Sequence, residues 1–561
     1  MLRASRLLAW SGLLCVSVTV NGSAQPASLA SGSGAAPPSL AKALAAVNAP
    51  AIRAHMTFLA DDLLEGRATG TRGYDLAARY VAAQLAMLGL QPAGDDGSYY
   101  QAVPLLESTL DEGTLTIHPK SGAARPLQVR DDFLMGGDLL RTSARVEAPL
   151  VFAGYGVSAP ELQHDDYAGR DVRGKVVVVL SNAPGRFPSE QRAHHASRRR
   201  KAELAAANGA VGVIVVRTRE EEQVTPWTRM IANVETPAVA WLTRAGAPAD
   251  VPEGLQGAAV LSAAGAAKLF DGSPIALDAV LAEAEKSAPK GFDLPAAVTL
   301  TSRSTHRRVT SANVVARLAG ADAALRDTAV VYSAHLDHIG IGTAVKGDTI
   351  NNGAFDNALG VAALLETARA LAGLPERPAR SIVFTFVTAE EKGLVGSGYF
   401  AANLPAAVGR PIANVNMDMP LLLFPIATVV AFGAEHSTLG DVATRAATQA
   451  GLTLIPDPMP EQTLFVRSDQ YSFVRHGVPA VFLVPGFTSS DPKADGPGKF
   501  REFLTTHYHQ PSDDLSLPLD RGAVERFTRA NIAMGYLIAT SAAAPRWRPD
   551  SFFGKTFGAS R

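Results

Sequence analysis

The sequence predicts an α/β fold: a mostly parallel or mixed sheet flanked by helices, with a β-rich insert. Three observations carry this reading. From about residue 308 to 542, short β-branched runs alternate with helical stretches. From about residue 149 to 216, strand-like runs lie closer together, between Gly and Asp turns. The 561-residue chain is 47% hydrophobic and 19% charged, a balance that supports a large core and argues against long disorder.

The chain opens with Arg3 and Arg6, then the apolar run 7–20, then small residues at Gly22 and Ala24. That order is a positive n-region, an h-region and a cleavage site after Ala24, so residues 1–24 are expected to be a signal peptide. The apolar run is shorter than the ~20 residues of a spanning helix; an uncleaved anchor is the alternative. The sole cysteine, Cys15, lies in the h-region, with bulky Leu14 before it against lipoprotein cleavage. The mature chain therefore has no thiol to mispair in an oxidising compartment. Residues 25–39 are small and polar and read as a flexible leader.

Residues 40–90 are helical in pattern, with Ala77, Tyr80, Val81, Leu85 and Leu88 on one face. A glycine-punctuated loop, 65–70 (EGRATG), divides them. Residues 149–153 (PLVFA), 175–180 (KVVVVL) and 211–216 (VGVIVV) are strands, and 198–208 a helix. This middle region reads as a separate β-rich domain. Its basic run 198–201 (RRRK) is expected on a solvated helix face, an anion site being the alternative. Strands follow at 330–333, 382–387, 412–416 and 478–484, with helices at 359–371, 439–450 and 524–538. The expected boundaries are 1–24, 25–39, 40–130, 131–300 for the insert, 301–545, and a tail at 546–561. The tail is aromatic and basic (547–557, WRPDSFFGKTF) and is expected to dock on the body.

Ligands of open α/β sheets bind beyond the carboxyl ends of strands. After 330–333 come His335, Asp337 and His338; after 382–387 come Glu390 and Glu391; after 412–416 comes Asp418. Asp356 and Asn357 precede a helix, and His509 lies in a later loop. Singly, a His-x-Asp or an acidic pair is often a surface pair or the start of a helix. Delivered together to one sheet edge, they read as a metal site. A thiolate-free set of His and carboxylate suits Zn²⁺, with Mn²⁺ or Co²⁺ as substitutes. Five such ligands exceed one tetrahedral ion and suit two ions ~3.5–4 Å apart sharing a carboxylate.

Other chemistries lack their residues. There is no His-Glu-x-x-His, no Gly-x-Ser-x-Gly elbow and no complete dinucleotide or phosphate loop. With 52 Lys plus Arg against 53 Asp plus Glu, the chain has no footprint for nucleic acid, nor for a membrane beyond the export signal.

The segments 333–340 (SAHLDHIG), 352–360 (NGAFDNALG), 388–393 (TAEEKG), 414–418 (NVNMD), 467–469 (RSD) with 477–480 (GVPA), and 508–513 (YHQPSD) resemble the co-catalytic dizinc exopeptidases. That family holds the zinc aminopeptidases and glutamate carboxypeptidases. Segment 61–67 (DDLLEGR) resembles the family's N-terminal segment, and the middle region, with 154–156 (GYG) and 201–215, its protease-associated (PA) insert.

The resemblance implies a zinc exopeptidase fold and two zinc ions per chain. His335 and Asp418 would ligate one, Glu391 and His509 the other, and Asp356 both. Glu390 would be the general base, Asp337 would orient His335, and Tyr508 would help bind the oxyanion. Gln470 stands where relatives often carry His, and Leu359 where they usually carry Ser. The implied function is peptide-bond hydrolysis by an exported, periplasmic or secreted metalloprotease acting on peptides. An aminopeptidase is favoured; a glutamate-carboxypeptidase-type enzyme, a single-zinc glutaminyl cyclase and a non-catalytic receptor-like homologue are the alternatives. The insert would be a lid, a contact surface or a stabilising element. Oligomeric state is not readable from the residues.

Overall fold

The structure, a computed structural model, describes residues 36–232 and 236–558. The expected signal peptide and the leader up to residue 35 lie outside them. The last leader residues belong to a helix, Pro38–Ala45. No helix among the described residues is long and apolar enough to cross a membrane.

The framework strands are β1 (Tyr100–Pro119), β2 (Phe133–Leu134), β3 (Ser143–Phe152), β4 (Val176–Leu180), β5 (Gly212–Val216), β6 (Ala258–Leu261), β7 (Phe292–Leu318), β8 (Thr328–His335), β9 (Ser381–Val387), β10 (Arg410–Asn416), β11 (Thr428–Phe432), β12 (Thr453–Ile455) and β13 (Ala480–Pro485). They run β12-β11-β13-β10-β8-β9-β7-β3-β4-β5-β6-β2, with β1 laid against β7.

The sheet is mixed. β8 is parallel to β9 and β10, and β10 to β13, while β7 and β11 run antiparallel to their neighbours β9 and β13. Strands buried on both faces must be apolar almost throughout, and β8 and β9 are. Successive residues point to opposite faces. Val331 and Val383 pack with Phe400 and Phe473, on the helices Val395–Ala402 and Gln470–Arg475. Tyr332 faces the other way and donates to the Asn531 carbonyl at 2.6 Å, on the helix Arg521–Thr540.

The middle region departs from expectation. β3, β4, β5 and β6 are mutually parallel, and the helices Ser189–Ala196 and Arg198–Ala207 lie between β4 and β5, so it is itself α/β. Nor is its sheet separate. β7 is 27 residues long; its first part pairs with β3, and residues 314–318 pair with β9. One strand serves both sheets, a juncture that local pattern cannot show.

The basic run is solvated only in part. Arg198, Arg199 and Arg200 pair with Glu221, Asp250 and Glu203. Lys201 is 1% exposed and donates to the carbonyls of Tyr155 and Asn182; burial lowers its ammonium to about 7. The tail docks through Phe553, which is fully buried against His436 and Phe465.

Candidate metal centre and active site

Register places the site. His335 pairs with Val387 and Ser333 with Asn416, so β8, β9 and β10 end at one level. The residues just beyond them, 335–338, 390–391 and 418, therefore share one rim. Asp356 arrives from a loop that begins at Gly353. There φ is +57°, and a Cβ would stand 2.1 Å from the Asp356 carbonyl and 2.6 Å from the His338 ring. Only glycine fits that turn. The Asp356–Asn357 peptide is cis.

Two cradles share Asp356. Its Oδ1 lies 3.2 Å from His335 Nε2, which is 3.0 Å from Asp418 Oδ1. Its Oδ2 lies 3.3 Å from His509 Nε2, which is 3.0 Å from Glu391 Oε2. All five expected ligands are brought together. The donor atoms of His335, Asp356 and Asp418 lie within 4.8 Å of one another, as do those of His338, Asp356 and Glu391. Converging imidazoles and carboxylates, buried and of mixed charge, are a donor set that fits zinc.

The electrostatics follow from crowding. Burial and the Asp418 and Glu391 carboxylates hold the Glu390 carboxyl well above its usual range, against the opposing pull of His335. Burial would also raise Glu391, but His509 and His338 overcome it and keep that carboxylate ionised.

Three further contacts frame the rim. Tyr508 packs against His509 with ring centroids 3.9 Å apart and the rings tilted by 33°, and its hydroxyl accepts from Arg467 Nη2 at 3.2 Å. Arg229, from the middle region, lies over the Tyr508 ring at 5.2 Å and donates to the Tyr508 carbonyl at 2.5 Å. Arg67 is 1% exposed and donates to the carbonyls of Leu336, Asn352 and Gly353, and also of Leu59. One guanidinium thus ties the β8 loop to the Asp356 loop. Burial lowers it to about 10, still a cation at neutral pH.

Asp337 has two sets of partners. His335 Nδ1 donates to the backbone carbonyl of Asp337 at 3.0 Å, whereas the Asp337 carboxylate lies 4.0 Å away. That carboxylate instead accepts from Thr69 Oγ1 at 3.1 Å and from the backbone N–H groups of Glu390 and Glu391 at 3.1 and 3.4 Å. Asp337 thus meets the imidazole through its backbone carbonyl and the acidic pair through its carboxylate. Gln470 is structural: it accepts from Asn416 Nδ2 at 3.0 Å and donates to the Phe465 carbonyl at 2.6 Å. Leu359 is fully buried, a packing residue.

Sequence reasoning assigned no role to His338, whose Nδ1 is 2.7 Å from Glu391 Oε1. Its place at the end of Ala-His-Leu-Asp-His was the available signal. Asp513 closes the segment 508–513, which was its signal; Arg229 carried none, because it acts from a distant part of the chain.

The class defined by this fold and these cradles is the α/β metallopeptidase. Residues 313–535 match peptidase family M28, and residues 146–249 match the PA domain. Among solved structures, an aminopeptidase from Aneurinibacillus sp. strain AM-1 is similar over 91% of this chain and 98% of its own, at 20% identity and a TM-score of 0.51. BSAP, a zinc aminopeptidase from Bacillus subtilis, is 18% identical over 88% of this chain and 96% of its own, with a TM-score of 0.44. Leupeptin-inactivating enzyme 1 of Streptomyces exfoliatus is 34% identical over 116 residues, 20% of this chain. The chain spans about a quarter of that curated relative, 24% of its length.

Proposed function

We propose that this protein is an exported, zinc-dependent exopeptidase, and specifically an aminopeptidase that removes N-terminal residues from peptides. Its ions would be two per chain. His335, Asp418 and Asp356 would hold one, and Glu391, His509 and Asp356 the other. The observation that carries the reading is that Asp356 presents one carboxylate oxygen to each cradle. When bound there, zinc lowers the pKa of water and polarises a carbonyl.

The chain's own groups would do the rest. Glu390 would take the proton of the attacking water and pass it to the leaving amine. Burial and the neighbouring carboxylates hold its carboxyl above the usual range, which favours a group that takes up a proton and gives it back. Asp337 would hold the Glu390 backbone in place. Tyr508 accepts from Arg467, which leaves its own proton free to donate to the carbonyl oxygen as charge develops. Residues 131–300 would form the insert between 40–130 and 301–545, and residues 1–24 the export signal. The fold likeness to the aminopeptidase from Aneurinibacillus favours this specificity by analogy.

The test is incubation of the zinc-loaded protein with unblocked peptides, with the products read by mass spectrometry. Ladders shortened from the N-terminus and abolished by chelator are expected. Ladders shortened only from the C-terminus would replace aminopeptidase with carboxypeptidase.

A further inference from the structure

A cavity of about 1290 Å³ opens beside Tyr508 and His509 and extends to the ends of β2, β5 and β6. It exceeds the ~300–1,000 Å³ of a small-molecule site and has room for a short peptide rather than one side chain. Its far wall is apolar, with Leu134, Val213, Val215 and Val260.

The near wall is cationic. Arg229, Lys392, Arg467 and Arg501 line it, and among the described residues none of the four forms an ion pair with a carboxylate. Arg229 and Arg467 donate only to neutral oxygens, the carbonyls of Leu504, Tyr508 and Gln462 and the Tyr508 hydroxyl. The side chains of Lys392 and Arg501 have no polar partner among the described residues. Against them the described lining offers one carboxylate, Glu461. A concave wall of one sign attracts the opposite charge. Sequence alone hid this cluster, because Arg229 lies far along the chain from the other three.

We propose that this wall binds a carboxylate of the substrate, so that the enzyme prefers short peptides carrying a negative charge beyond the residue removed. This rests on the peptidase reading above. The charge has two sources, the peptide's own terminal carboxylate or an Asp or Glu side chain.

The experiment compares Leu-Ala-Ala, its C-terminal amide and Leu-Ala-Glu amide, following release of leucine by the zinc-loaded full chain. The acid is expected to exceed the amide at least about tenfold in kcat/KM, chiefly through KM, with the gap narrowing as salt screens the charges. Recovery with Leu-Ala-Glu amide assigns the site to side chains as well; no recovery assigns it to the terminus. The double variant Lys392→Gln with Arg501→Gln should bring the acid-to-amide ratio towards one. Equal rates for acid and amide, or a ratio unmoved in that variant, overturn the proposal. Calorimetric binding to the Glu390→Gln protein reads the same difference without turnover. Tighter binding of the acid without cleavage would keep the carboxylate site and sink the peptidase reading. Cleavage without any preference would do the reverse.

Discussion

The carboxylate of Asp513 accepts the backbone N–H of Asp356 at 3.0 Å, and its other oxygen accepts the N–H of Phe355 at 2.9 Å. The shared residue of the two cradles is thus held from the loop that carries His509. Asparagine would turn one acceptor into a donor facing an N–H. Asp513→Asn should cost about 1–3 kcal/mol of stability. It should also weaken zinc retention, read by thermal melting and by competition with a chromogenic chelator. Wild-type zinc affinity would show that Asp356 is placed without this contact.

Glu390 belongs to neither cradle, so Glu390→Gln should leave zinc content unchanged. Loss of the proton acceptor should lower kcat by about 10²–10⁴. Elemental analysis and peptide turnover on one preparation check both statements. Near-normal kcat would remove Glu390 from the role of base.

Arg67→Met should be strongly destabilising. The methionine fills the space, but four carbonyls lose the guanidinium, of which Gly353's alone keeps another donor among the described residues, the Ala358 N–H. Unsatisfied buried acceptors cost about 1–3 kcal/mol each. A loss of at least about 3 kcal/mol in a urea melt is expected. A loss below about 1 kcal/mol would show that water replaces the guanidinium.

His195 links acid stability to the contact between the middle region and the tail. Its ring is 2% exposed, beside Phe187 and Phe552, with Glu161 at 3.5 Å. Burial, aided by Arg200 and Lys201, lowers it from 6.5 to about 4. Between those values the unfolded chain binds a proton that the folded chain does not. Stability should therefore fall as pH drops from 6.5 towards 4, by about 3 kcal/mol from this group. His195→Gln should flatten that limb relative to wild type in melts at pH 7 and pH 4.5. Parallel curves would exclude the group.

Much of the centre was legible in the linear chain. Strands β8 and β9 are largely apolar and β10 is mixed, and a parallel sheet delivers the residues after such strands to a single edge. That rule placed His335, Glu390, Glu391 and Asp418 together before any coordinate did. The role of Asp337 was not legible. Its sequence neighbour is His335, but its carboxylate turns to the N–H groups of 390 and 391, a choice made by loop geometry.

By itself, then, the sequence determined the α/β class, the strands that end at the site, and the site's His and carboxylate inventory, but not the long strands β1 and β7. These follow from hydrophobic period and from the residues that end each strand, both local properties. Tertiary structure alone decided three things. β7 joins two sheets, because strand pairing is a long-range contact. Arg67 and Asp513 hold the loop that carries Asp356, because that loop lies more than 150 residues from either in the chain. Arg229 meets Arg467 around Tyr508, because the middle region folds back over the rim and sets its charges beside those of the catalytic part.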